Sequence, residues 1–253
     1  MATLSLFALT FGLTMGSGKH GWNTTALLAT AVGILLMLAF VWVEKARGAR
    51  AMMPLAMFGS PTFIGLTLLT LLLYGALGAI IVLIPYVLIR VASYTGTQAG
   101  LSLLPLAVIL ALASPVMGSL AGRVGSRWPL TIGPLLVSGG FLLALRMDGE
   151  TSYWSGVLPA IVVIALGMAG AVAPLTSAVL GSVDASHTGS ASGFNSAVAR
   201  AGGLVATALL GGVLGAAGQA LISGFHTAVI ACAVACVGAG AAAFLLVRDR
   251  PVH

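Results

Sequence analysis

The residues from Gly100 to Ala121 form an apolar run of more than twenty residues without a single charged side chain. At about 1.5 Å per helical residue, such a run is long enough to cross the ~30 Å hydrocarbon core of a bilayer. Pro105 and Pro115 lie inside it, and each removes a backbone N–H group that lipid cannot replace. We therefore predict a membrane-spanning helix that packs among other helices.

The composition extends this prediction to the whole chain. Hydrophobic residues make up 59% of it and charged residues only 6%, whereas about a quarter of a soluble domain is charged. The 11 Lys and Arg side chains are scattered between apolar runs, so the sequence predicts no nucleic-acid partner. Cys232 and Cys236 have no nearby His or acidic residue to complete a metal site, and we predict neither a metal nor a cofactor.

Hydropathy divides the chain into eight apolar segments, so we predict an all-α integral membrane protein with about eight transmembrane helices. The predicted spans are 2–16, 25–43, 62–84, 99–121, 129–146, 156–180, 194–217 and 225–247. The first is short for a crossing and resembles a helix whose beginning is missing.

The cations are distributed unevenly between the two sides of this predicted bundle. Because spans alternate, one side carries seven cations (Lys45, Arg47, Arg50, Arg123, Arg127, Arg248 and Arg250) and the other three (Lys19, Arg90 and Arg146). The positive-inside rule places the first side, with the C-terminus, in the cytoplasm. Arg200 is the one cation inside a predicted span.

The longest connection, from Glu44 to Pro61, differs in composition from its surroundings and predicts a boundary. Residues 1–60 then comprise two extra helices and a cytoplasmic loop. Residues 61–253 comprise six spans, which we divide into two groups of three, as in bundles built from inverted repeats.

The first of these groups carries a recognisable loop. Gly118, Leu120, Ala121, Arg123, Gly125 and Arg127 resemble the Gly-x-Leu-Ala-Asp-Arg-x-Gly-Arg signature of the major facilitator superfamily. The resemblance assigns Gly118, Gly122, Arg123, Gly125 and Arg127 to a cytoplasmic signature loop. Gly122 stands where the signature has Asp, so the charge network that this acid joins in the family lacks one member here.

The wider pattern resembles one branch of that superfamily. Two extra spans, a loop with Pro54, Leu55 and Phe58, and then six spans resemble the C-terminal half of the fourteen-helix drug:proton antiporters, which export multiple drugs and quaternary ammonium compounds. The stretches 100–106 and 189–203 strengthen the resemblance. It implies a C-terminal fragment, in a bacterial inner membrane, of a transporter that exports hydrophobic or cationic compounds in exchange for protons.

The resemblance also implies that this chain needs a second six-helix bundle and a titrating carboxylate for transport. Transporters of this type rock two six-helix bundles about a central cavity, so one bundle alone is predicted not to pump. No Asp or Glu falls within a predicted span, so the titrating carboxylate is expected in the missing N-terminal half. The implied partners are a small hydrophobic or cationic substrate, protons through the missing half, and the bilayer. A second six-helix bundle is an alternative partner.

Five residues are candidates for the transport path. By the resemblance, Thr70, Tyr74 and Met168 lie on cavity-lining helices, although plain helix packing explains them as well. Asn195 and Arg200 are candidates for a cytoplasmic gate. The alternative for Arg200 is that its long stem lets the guanidinium reach the membrane interface.

No enzyme is predicted. The segment 16–19 resembles a phosphate-binding loop but lacks the first glycine and the Ser or Thr that follows the lysine. Two alternatives to an exporter fragment stay open. One is a truncated membrane protein that does not transport and acts as an interaction partner, and the other is a half-size transporter that dimerises.

Overall fold

The computed structural model describes residues 2–17, 21–47, 58–148 and 152–248, and these contain helices and no strand. The helices are α1 Ala2–Ser17, α2 Thr24–Arg47, α3 Pro61–Arg90, α4 Gly96–Leu101, α5 Leu104–Val124, α6 Arg127–Ala144, α7 Leu158–Gly181, α8 Thr188–Leu209, α9 Gly211–Leu214 and α10 Gln219–Leu246. A π-helical turn, Tyr153–Val157, leads into α7. The predicted all-α class is confirmed.

Each predicted span overlaps a helix, although the fourth contains a break and the seventh, 194–217, extends beyond α8 through α9. The helices differ in their capacity to cross a membrane. Five helical segments of the described chain are long and apolar enough: Thr24–Ala46, Pro61–Arg90, Gly96–Val124, Tyr153–Gly181 and Gln219–Leu246. The other three long helices are α1, α6 and α8. α1 has only 16 residues, and α8 carries Asn195, Arg200 and several serines.

The structure corrects the prediction for Pro105. The fourth predicted span is interrupted after Leu101, and α5 begins at Leu104, which places Pro105 in its first turn. The N–H groups of a first turn have no intrahelical partner, so a proline there removes no hydrogen bond. Pro115 does lie inside α5, so of these two prolines only Pro115 frees a backbone carbonyl that neighbouring helices must cover.

Glu44 requires a second correction. The sequence placed it in the long loop, whereas α2 continues to Arg47 and the Glu44 side chain is buried at 3% exposure. One acidic residue therefore lies in the last turn of a membrane-length helix. The remainder of that predicted loop, 48–57, lies outside the described residues.

The helices from α3 onward pack in a pattern with internal symmetry. α3 packs against α8 and α10, and α7 packs against α5 and α6, while α6 and α10 contact each other. If α3 is exchanged with α7, α5 with α8, and α6 with α10, the same set of contacts results. Such an exchange is what two groups of three helices produce.

Burial distinguishes the centre of this bundle from its surface. In the most apolar part of each segment, 50% of the residues are buried in α3 and 56% in the segment containing α7. In the segment containing α5 only 6% are buried. α3 and α7 therefore form the core, and α5 presents most of its surface outward. α1 and α2 pair with each other, and α1 contacts α8 and α9.

A polar pocket where α3, α7 and α8 meet

A pocket of about 440 Å³ lies between α3, α7 and α8, near the end of the bundle where α7 ends and α8 begins. It is lined by Tyr74, Thr176, Val179, Leu180, Ser192, Asn195, Ser196, Ala199 and Arg200. This volume falls within the range of small-molecule sites, which combine apolar walls with a few polar groups. We take it as the candidate site.

Helical periodicity explains how these residues share one pocket. The lining residues of α8 are Ser192, Asn195, Ser196, Ala199 and Arg200. They are spaced at i, i+3, i+4, i+7 and i+8, which is one face of a helix. Ser192 and Ser196 were not among the predicted site residues, and this polar stripe is the signal in the sequence that could have identified them.

Two candidates predicted to share a face of α3 do point toward α8. Tyr74 lines the pocket, whereas Thr70 is fully buried beside it. Thr70 Oγ1 lies 2.8 Å from the Leu66 carbonyl oxygen and 2.7 Å from Asn195 Oδ1. A hydroxyl has one proton and cannot donate to both oxygens. Both contacts are satisfied when Thr70 donates to Leu66 and the Asn195 amide is turned so that its nitrogen donates to Thr70.

We expect Thr70→Val to reduce the free energy of unfolding by about 0.5–1.5 kcal/mol, because it removes the hydroxyl that joins α3 to Asn195. Thr67→Val is the matched control, since Thr67 Oγ1 contacts only the carbonyl of Phe63 in its own helix, at 2.9 Å. Denaturant unfolding of both variants in detergent measures the difference. If Asn195→Ala loses the same stability with and without Thr70→Val, the two side chains are not coupled.

Arg200 lies twelve residues after the first residue of α8, about 18 Å along the helix. Its side chain is exposed and lines the pocket. No carboxylate of the described residues pairs with it. The structure thus brings both gate candidates, Asn195 and Arg200, to the same cavity as Tyr74.

Met168 has a different environment. It is fully buried in the core between the helices and is not among the residues that line the pocket. Thr176, two turns further along α7, does line the pocket, and its hydroxyl lies 3.3 Å from the Val172 carbonyl oxygen. The structure therefore brings two of the three cavity candidates, Thr70 and Tyr74, to the pocket region and leaves Met168 in packed core.

Glycines set the distance between the two helices beside the pocket. A Cβ atom at Gly202 of α8 would lie 2.5 Å from the Leu71 carbonyl oxygen of α3, and one at Gly78 would lie 2.8 Å from Gly203 Cα. These separations are shorter than any normal Cβ contact. α3 and α8 therefore approach backbone to backbone, which small residues permit in membrane bundles.

Three phenylalanines close the bundle beside the pocket. Phe58 makes edge contacts with Phe63 and Phe194, each at a centroid distance of 5.4 Å, and the last two stack at 5.8 Å. Such pairs add stability beyond their buried area. They fix the segment before α3 to the first turn of α3 and the second turn of α8, next to Asn195.

The signature loop lies at the turn between α5 and α6. Gly125 ends α5 with φ +87°, a conformation that favours glycine. A Cβ at Gly118 would contact Ala173 of α7 at 3.4 Å, whereas nothing lies within 4 Å of one at Gly122. Arg123 is exposed. The loop is therefore shaped by Gly125 and by one helix contact at Gly118.

Arg127 has a partner that the sequence did not predict. Its Nε and Nη2 atoms donate to the Phe244 carbonyl oxygen at 3.1 and 2.8 Å, and its guanidinium carbon lies 4.6 Å from the Phe244 ring centroid. Phe244 lies in the last turn of α10, where carbonyl groups lack intrahelical partners and a cation is favourable. Arg127 thus caps α10 and ties the loop to the C-terminal helix.

The described part of the chain contains no candidate metal site. No three His, Cys, Asp or Glu side chains within it are grouped closely enough to hold an ion. Cys236 is buried and Cys232 half-buried within α10, and neither forms a disulfide.

The fold and the pocket define a class, an all-α multi-pass membrane protein with a polar cavity between its helices. Comparison with family models identifies it: residues 66–253 match the model of the Major Facilitator Superfamily. The chain belongs to this superfamily of membrane transporters and is not an enzyme. The resemblance seen in the sequence is confirmed.

Curated relatives are similar across most of the chain. It is 31% identical over 206 residues to the multidrug resistance protein Stp of Mycobacterium tuberculosis, covering 78% of this chain and 36% of that protein. It is 28% identical to the tetracenomycin C resistance and export protein of Streptomyces glaucescens, covering 82% and 38%. With the cephamycin export protein CmcT of Amycolatopsis lactamdurans, identity is 30% and coverage 83% and 43%. The chain thus spans less than half the length of these relatives.

Proposed function

We propose that this chain is the C-terminal part of a bacterial exporter that moves hydrophobic compounds out of the cell in exchange for protons. The observation that carries the proposal is the family match over 66–253, in the segment that encloses the pocket of α3, α7 and α8. Relatives named for drug resistance and export support the direction of transport.

The proposed division places residues 1–60 as two linker helices and residues 61–253 as one six-helix bundle. The internally symmetric contacts of α3 and α5–α8 with α10 support it, as does the limited attachment of the α1–α2 pair through α1. A second six-helix bundle would cover the outward surface of α5. Alternating access requires two such bundles.

The proposed location is the inner membrane, with the C-terminus and the pocket end of the bundle in the cytoplasm. Seven loop cations on that side against three on the other support the orientation. The pocket then opens toward the side from which an exporter takes its cargo.

Cationic cargo is a further part of the proposal and depends on residues beyond the pocket described above. None of its lining residues carries a carboxylate, and Arg200 repels positive charge. A cation would need an acidic side chain elsewhere in the complete transporter. Proton coupling has the same requirement, since an intramembrane carboxylate is the usual titrating group.

An efflux assay tests the proposal. Cells preloaded with the neutral dye Nile red are compared with vector controls when they make residues 1–253 alone, or the same chain together with the part of the Streptomyces glaucescens relative that this chain does not match. We expect no efflux from the chain alone, and efflux with the added part that a protonophore abolishes.

The two alternatives, a half-size transporter that dimerises and a membrane protein that does not transport, would give different results in this assay. Efflux by residues 1–253 alone, with crosslinked dimers in the membrane, would establish the half-size dimeric transporter and contradict our proposal. Absence of efflux in both strains, with both polypeptides shown to be folded and associated in the membrane, would favour a non-transporting interaction partner.

A further inference from the structure

Arg200 brings a permanent positive charge to the pocket. A guanidinium is protonated at all physiological pH values and presents planar N–H donors that match the geometry of a carboxylate or phosphate. Ionisable groups inside a membrane bundle are costly and are normally paired or placed at a water-filled cavity. Arg200 lines the pocket, and no described carboxylate pairs with it.

Three of the other polar side chains in the pocket have hydroxyl groups free to donate hydrogen bonds, while Thr176 and Asn195 contact Val172 and Thr70. The hydroxyls of Tyr74, Ser192 and Ser196 line the same pocket and form no hydrogen bond to other described residues. Together with Arg200 they offer a guanidinium and three O–H groups and no negative charge. An oxyanion accepts hydrogen bonds at each of its oxygens and is the complement of this set.

The apolar lining limits what else the ligand can be. Val179 and Leu180 of α7 and Ala199 of α8 face the same volume, beside the ring of Tyr74. A small inorganic anion would leave these surfaces in contact with water. A molecule that joins an acidic group to an apolar body fits both kinds of surface.

We propose that this pocket binds the carboxylate or phosphate group of an amphipathic molecule, with Arg200 as its counter-ion and Tyr74, Ser192 and Ser196 as hydrogen-bond donors. The proposal rests on the proposed exporter function and names one class of cargo, acidic hydrophobic compounds, that this pocket would hold at the cytoplasmic end. The same group could come from a free amphipathic acid or from the headgroup of an anionic lipid.

A binding assay on the full chain, residues 1–253, in phosphatidylcholine nanodiscs tests this without measuring transport. The probes are 1-pyrenebutyrate and the matched cation in which a trimethylammonium group replaces the carboxylate. Energy transfer from tryptophan to pyrene reports saturable binding above that of empty nanodiscs. We expect saturable binding of the carboxylate probe and none of the cation.

Variants then assign the binding to the pocket. Arg200→Gln should weaken carboxylate binding by about ten-fold or more, the effect of losing a charge-assisted hydrogen bond. Arg200→Lys should keep part of the affinity, and Tyr74→Phe should weaken binding by a smaller factor. Arg90→Gln is the control, because Arg90 lies at the other end of α3 and stacks on Tyr86, with 5.6 Å from its guanidinium carbon to the ring centroid. Thermal unfolding of the same samples confirms that each variant is folded.

The anionic lipid phosphatidylglycerol distinguishes a free amphipathic acid from a lipid headgroup as the source of the acidic group. If adding this lipid displaces the probe from the wild-type chain, the pocket takes a lipid headgroup; if it does not, the pocket prefers a free acid. Equal carboxylate affinity in folded Arg200→Gln and wild type, or equal affinity of wild type for both probes, overturns the proposal. Either result leaves the exporter function to be decided by the efflux assay.

Discussion

Replacing Gly202 with alanine is expected to reduce the free energy of unfolding by about 1–3 kcal/mol, the usual effect of inserting a methyl group into a closely packed contact. The new Cβ atom would lie 2.5 Å from the Leu71 carbonyl oxygen and 3.2 Å from the Gly75 backbone nitrogen. Backbone atoms cannot rotate away as a side chain would, so α3 and α8 must separate. Denaturant titration in detergent, followed by circular dichroism, measures the loss.

Gly193→Ala is the matched control for this prediction. Gly193 lies in the same helix, and nothing is within 4 Å of a Cβ atom built there. Because alanine favours a helix over glycine by about 1 kcal/mol, the control should be neutral or stabilising. Equal stability of the two variants would show that α3 and α8 do not approach as closely as described.

The second large effect is expected at Gly167, where α7 crosses α6. A Cβ atom there would lie 2.6 Å from the Gly133 carbonyl oxygen and 2.7 Å from the Val137 backbone nitrogen. We expect Gly167→Ala to reduce the free energy of unfolding by about 1–3 kcal/mol for the same reason. Gly170→Ala is the control, since its Cβ would meet only Gly133 Cα, at 3.8 Å.

The two glycine variants should differ in their effect on the pocket. Gly202 lies in α8, which carries five of the nine lining residues, so separating α8 from α3 moves the pocket wall. Gly167 faces α6, which contributes none of them. Carboxylate-probe binding should therefore fall in a folded Gly202→Ala sample and persist in a folded Gly167→Ala sample. The opposite pattern would contradict the assignment of α3, α7 and α8 as the pocket helices.

Periodicity predicted part of the candidate site and missed the rest for a definite reason. Thr70 and Tyr74 are four residues apart, so their common orientation follows from helix geometry alone. That Thr70 meets Asn195 does not follow, because 125 residues separate them along the chain. Met168 shows the same limit, since a methionine on a long apolar helix suits a packed core as well as a cavity wall.

The fold was predictable to a similar extent. Apolar segments located each long helix, yet the interruption after Leu101, the end of α8 at Leu209 and the extension of α2 through Glu44 were missed. Pro105 was the local signal for the first, because a proline is favourable in the first turn of a helix and unfavourable in its interior. For Glu44, the charged side chain predicted the end of the span, whereas α2 continues to Arg47 and leaves Glu44 only 3% exposed. Burying a charge is unfavourable by itself, so nothing in the local sequence indicated it.

The sequence by itself determined the class of this protein, its helices and its family, because the hydrophobicity of a segment is a sum over its own residues and a signature loop is a local pattern. Only the tertiary structure decided that Tyr74, Ser192, Ser196 and Arg200 share one pocket and that Arg127 caps α10. Those arrangements depend on how closely two helices approach. Glycines at the crossings permit that approach, but its partner and register are set by the packing of the whole bundle.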